Sequence, residues 1–141
     1  MPRITLHTGA WLFIATWFVH TGDHLRRGLA ASSDSVFTGG TFAAILAAVA
    51  ITLIFTRHAA APAVAAVIFG AVAVGVSAVH LLPDWGPASD PILVGSNSDG
   101  WSIIAVGVEI AAAAVLAVVA LRILRAHGFA ARIDANAWAP A

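Results

Sequence analysis

Four continuous apolar stretches run along the chain, approximately Ile4 to Thr21, Gly39 to Thr56, Ala63 to Leu82 and Trp101 to Leu124, separated by short polar ones. Each is 18 to 24 residues long. About 20 helical residues, rising 1.5 Å each, cross a hydrocarbon layer of about 30 Å, so all four have the length to span. Barrel strands would alternate apolar and polar positions, whereas these stretches are apolar throughout and dominated by Ala, a strong helix former. The pattern predicts an all-α integral membrane protein: a four-transmembrane-helix bundle over residues 4–21, 39–56, 63–82 and 101–124, in a single domain covering 1–141. Gly39 and Gly40, Pro62, and the Pro83, Gly86 and Pro87 group punctuate the segment ends, and Ser98 or Asp99 is placed to cap the fourth helix. Small residues recur at four-residue spacing in Ala43/Ala47, Ala66/Gly70 and Ala71/Gly75, which predicts close helix packing without marking a dimer face.

Composition strengthens the membrane assignment. Of the 141 residues 60% are hydrophobic and 10% charged, against roughly 45–50% and about 25% in soluble domains. Seven basic and seven acidic residues leave no net charge, which removes the basic field that nucleic-acid binding needs. No cysteine is present, so disulfides, thiolate metal sites and a cysteine nucleophile are excluded. Arginine supplies every basic side chain and sets the expected orientation. Arg3, Arg57, Arg122, Arg125 and Arg132 fall on one side of four spans, and Arg26 and Arg27 on the other. Both termini are therefore expected in the cytoplasm, with the 83–100 loop outside. A cleaved signal peptide is the competing account of the first stretch. The stretch holds His7, Trp11, Trp17 and His20, and no small-residue cleavage site follows it directly, so it is expected to stay.

Polar side chains collect at one depth. His20, Asp23 and His24 close the first stretch, while His80 and Asp84 close the third. Residues four apart share a helix face, so His20 with His24 and His80 with Asp84 form two pairs at the expected outer end, although Pro83 disturbs helical geometry at Asp84. His20, His24, His80 and Asp84 are thus the candidate ligands of a transition-metal ion, with zinc, copper and iron all suited to imidazole and carboxylate. Bis-histidine haem between His20 and His80 is a less favoured variant. The simpler alternative makes them solvated interface residues or hydrogen-bonding partners within the bundle. His7, His58 and His127 lie elsewhere and read as interfacial.

Glu109 falls near the middle of the fourth span, where a carboxylate costs roughly 2.5–3.5 kcal/mol on insertion scales. It is expected to face the bundle interior, with Ser102 on the same helix face forming a polar stripe that ends one to two turns below the histidines. The loop between the last two spans contains Pro83, Pro87, Pro91, Trp85 and, at its end, Trp101, and should form an ordered lid. His-Thr-Gly-Asp-His after the first span and His-Leu-Leu-Pro-Asp-Trp after the third resemble small multi-pass bacterial membrane proteins. That resemblance implies a bacterial inner membrane and carries over no residue role. Two functional classes follow: a metal-binding or redox membrane protein, in which a metal-activated hydrolase is included, or a non-catalytic subunit of a membrane complex. Expected partners are the lipid bilayer and other membrane subunits, with no nucleic acid.

Overall fold

A computed structural model describes residues 4–94 and 98–127. It contains four helices, α1 (Leu6–Arg27), α2 (Asp34–Phe55), α3 (Ala61–Leu81) and α4 (Gly100–His127), and no strand among the described residues. Three of them, α2, α3 and α4, are long and apolar enough to cross a membrane. Arg3 and Arg132, used above for orientation, lie outside the described residues.

The helices outrun the apolar stretches because their ends are secured by polar groups. α1 begins where the Thr5 hydroxyl accepts the Thr8 amide, and α2 where the Ser33 hydroxyl accepts the Val36 amide. Ser33 sits six residues before Gly39, the apolar start of that segment. Asp99 opens α4, its carboxylate taking the Trp101 and Ser102 amides. Pro62 lies in the first turn of α3, where its missing N–H leaves no intrahelical bond unmade. α1 does not stop at Thr21 but continues through Asp23, His24, Arg26 and Arg27, whose charges pair with one another at helical spacing. Lipid compatibility ends at Thr21; the hydrogen-bonded helix does not.

α4 sits between α1 and α3, and α2 packs on α3. The closed part of the bundle is lined by Ala112, Ala113, Ala117 and Ala120 of α4, with Leu116 against Leu6, Ala10 and Phe13 of α1 and Phe69 of α3. Phe13 meets Phe69 edge to face at 4.8 Å between centroids. Gly9 eases this approach, since a Cβ there would lie 2.8 Å from Leu116 Cδ1 and the leucine tip would have to move aside.

Ring contacts between α1 and α2 lie toward their ends. At one end Phe55 lies against Trp11 and His7, and at the other Phe37 lies against His24, with centroids 5.2, 5.6 and 5.8 Å apart. Between these aromatic props the two helices stand apart and leave a half-open cavity of about 720 Å³, floored by α3 and reached by Glu109 of α4. The bundle is therefore less tight than the small-residue spacing predicts. Ala43, Ala47, Ala71 and Gly75 line this space instead of closing it.

Candidate metal centre

His20, His24 and His80 meet at one end of the cavity, and one ring nitrogen of each lies within 4.8 Å of those of the other two. This group could hold a metal ion. His20 and His80 are buried, and the His24 side chain is 13% exposed. Ring centroids are 4.8 Å apart for His20–His24, 4.8 Å for His20–His80 and 5.5 Å for His24–His80. With metal–nitrogen bonds of about 2.0–2.1 Å, two imidazoles on a tetrahedral ion have centroids about 5.2 Å apart, and two on opposite sides of one iron about 6.4 Å. The observed triangle fits adjacent positions on one ion. His20 and His80, at 4.8 Å and nearly perpendicular, do not straddle a haem iron.

Each ring is fastened through Nδ1. His20 Nδ1 is hydrogen-bonded to the Glu109 carboxylate. His80 Nδ1 donates to the Asp90 carbonyl at 3.0 Å. His24 Nδ1 lies 3.1 Å from Ser32 Oγ and 3.0 Å from an Arg27 guanidinium nitrogen. Donation to Ser32 leaves Nε2 free to ligate, whereas accepting from Arg27 places the proton on Nε2, so the Ser32-bonded tautomer is the one competent for metal. His20 Nε2 is buried without a hydrogen-bond partner. A ligating imidazole that gives its other N–H to a carboxylate or carbonyl is the common outer arrangement of metal sites, fixing the tautomer and raising ligand basicity.

The loop after α3 builds the surroundings. The Asp90 amide donates to the Val79 carbonyl at 2.9 Å and the Ile92 amide to the His80 carbonyl at 3.0 Å, capping carbonyls that the helix end would leave unmade. Trp85 Nε1 caps Ala78 in the same way at 2.9 Å. The loop is held to the start of α2 by Ser33, whose hydroxyl donates to the Pro87 carbonyl. Asp90 takes two hydrogen bonds from Arg27, at 2.7 and 3.2 Å, and one from Ser32 at 2.8 Å. Burial alone would raise its pKa, but Arg27 and Ser32 outweigh burial and hold the carboxyl below its ordinary value.

Arg27 also lies 3.2 Å from the buried Asp23, which accepts from Arg26 at 2.8 and 3.0 Å. Arg26 reaches on to Asp99 at 2.9 Å and Ser102 at 3.3 Å. Asp23, Asp90 and Asp99 are thus matched by Arg26 and Arg27, and Glu109 by His20.

The structure brings together three of the four proposed ligands. Asp84 stays exposed beyond Pro83, accepting from Ser89 at 2.7 Å and the Gly86 amide at 3.0 Å, and these bonds hold its carboxyl below the ordinary value. Asp90, six residues on, is the carboxylate beside His80, its Oδ2 3.7 Å from Nδ1. Glu109 faces inward and is buried, as is Ser102. The carboxylate is not one to two turns below the histidines but in contact with His20, because His20 lies a full turn deeper than His24 and both side chains reach toward one another. Arg27, Ser32 and Asp90 went unmarked by sequence reasoning. Nothing in their spacing announces them, since Arg27 and Asp90 are 63 positions apart.

Comparison with protein-family models, with curated proteins and with solved structures finds no match for this chain.

Proposed function

We propose that this chain is a four-span membrane protein that binds one transition-metal ion, zinc by its ligand set, through Nε2 of His20, His24 and His80. The observation that carries the reading is that each imidazole is attached through Nδ1 to a separate partner, while one ring nitrogen of each lies within 4.8 Å of those of the other two. Three histidines and an open fourth position are the ligand pattern of catalytic zinc, and here the three histidines border the apolar cavity. A metal held by them would supply Lewis acidity or an activated water.

α1 is taken as the fourth span. Apart from Arg26 in its last turn, its exposed large side chains are apolar, among them Trp11, Leu12, Phe18 and Leu25, while His20 and Asp23 are buried, an inside-out distribution suited to lipid. With Arg57 and Arg125 at the end opposite the histidines, the positive-inside rule puts both termini in the cytoplasm and the metal near the outer leaflet. The bilayer would be a bacterial inner membrane. Reporter fusions after Ser89 and near the C-terminus should label opposite sides; same-side labelling defeats the topology.

Elemental analysis of the purified protein tests the metal. About one equivalent should copurify or be taken up after chelation, and His80→Ala should abolish it with helicity unchanged. A metal-free protein that takes up no ion, and that copurifies with larger membrane proteins, would favour the accessory-subunit role.

A further inference from the structure

From the cavity we infer a second ligand: a single-chain amphiphile whose oxygen-bearing head reaches the metal's open position while its hydrocarbon tail lies in the slot between α1 and α2. The inference rests on the metal reading for its head group and on the cavity alone for its tail. The slot runs along α3 from His80 to Ile68, and twelve helical residues make it about 18 Å long. One end is polar, with the three histidines and Glu109; the remainder is lined by side chains such as Phe13, Phe42, Leu46 and Val72. That gradient matches one head and one tail. A compact apolar solute would leave the histidine end unmatched, and a polar solute would leave the rest so.

Three glycines border the slot and leave it accessible to a larger side chain. Gly39 and Gly40 of α2 and Gly75 of α3 all line the cavity, and a Cβ at any of them would meet no atom within 4 Å. Glycine inside a helix is unfavourable relative to alanine, and no neighbouring protein group requires it at these positions. Arg26 and Arg27, the guanidiniums at this end among the described residues, are both committed to carboxylates, which leaves the head to the metal. An oxygen donor, whether the carboxylate of a fatty acid or the carbonyl of a prenyl quinone, supplies the shared chemistry.

Cobalt(II)-loaded protein in nanodiscs is the test, with myristate, a decyl-chain quinone and acetate as separate probes. The cobalt visible bands should shift with a long-chain probe and saturate at one per protein; the probe that shifts them at the lower mole fraction identifies the source. Gly75→Leu should raise the long-chain midpoint roughly tenfold, as an overpacked side chain would, and leave cobalt affinity and the acetate response unchanged. A metal-independent readout uses a variant in which Trp17, which lines the cavity, is the sole remaining tryptophan. Brominated myristate should quench it saturably, and Gly75→Leu should remove the saturable part.

Cobalt binding with neither a chain-dependent shift nor saturable quenching overturns the amphiphile and leaves the metal site standing. Saturable quenching without cobalt binding keeps the tail site and removes the metal. Native mass spectrometry showing a dimer in which Trp17 is already shielded would give the cleft to a second copy and overturn the inference.

Discussion

The seam that α4 makes with α1 and α3 and the cleft between α1 and α2 are built from the same small residues and end in opposite states. Along α4 the side chains of Ala105, Ala112, Ala113, Ala117 and Ala120 are buried, and backbones approach closely. On α2 only Ala47, Ala50 and Ile54 are buried, and its glycines face open space. Small side chains permit approach without compelling it. The difference comes from what props the helices: Phe55 against Trp11 and Phe37 against His24 hold α1 and α2 apart at both ends, while on the other side Gly9 lets Leu116 in. A stripe of alanine is thus ambiguous until bulky neighbours are placed.

Removing the polar brace at the cleft's histidine end should have the largest effect. Asp90→Asn removes the bidentate partner of the buried Arg27 and leaves it only Asp23, so the cost should approach that of a fully broken buried pair, about 3–5 kcal/mol. Thermal unfolding followed by circular dichroism would register it; an unchanged midpoint would show that the brace carries no stability.

The contrast itself is tested by one substitution made on each side. Ala113→Phe forces a large ring into the closed seam and should destabilise by about 1–3 kcal/mol or more. Ala43→Phe enters the cavity and should stay within about 0.5 kcal/mol of the parent. Equal effects would mean that the cleft is closed in the membrane.

Glu109→Gln separates scaffold from ligand support. An amide accepts the His20 proton but lacks the charge that raises imidazole basicity, so metal affinity should fall about 10–100-fold while helicity and melting stay near those of the parent. Competition against a chelator of known affinity reads this directly. Unfolding in place of a selective affinity loss would make Glu109 a structural residue.

A smaller gain is expected at the α2–α3 turn. The His58 amide bonds to the Leu53 carbonyl and the Arg57 amide to the Ile54 carbonyl, a Schellman motif whose left-handed position is occupied by Arg57 at φ 55°. Glycine adopts that conformation without a Cβ penalty, so Arg57→Gly should stabilise by about 1 kcal/mol. No gain in melting temperature would show that the strain is relieved elsewhere.

The smallest effect is a pH response of the exposed loop. Asp84 is depressed by the Ser89 hydroxyl and Gly86 amide, and Asp99 by the Ser102 amide and Arg26. A depressed folded pKa means that their contribution is present above the ordinary carboxylate pKa and is lost as pH falls through the lower folded values. Trp85 emission should change over that acidic range in the parent, and Asp84→Asn should flatten the change.

Apolar length and alanine content were enough to determine an all-helical chain with segments able to cross a membrane, because a bilayer imposes a minimum length and an uninterrupted apolar character on each helix. His20 and His24 were readable as a pair because four-residue spacing is a local helical property. Contacts across the bundle have no such local signature. That Asp90 and not Asp84 stands beside His80, that Glu109 bonds to His20, and that Arg27 joins α1 to the loop after α3 all depend on how rigid helices pack and how a proline-rich loop folds back to satisfy open carbonyls. The cavity was decided in the same way. Its walls are small residues that read in sequence as packing surfaces, and only the placement of Phe55, Trp11, Phe37 and His24 turned them into the lining of a space.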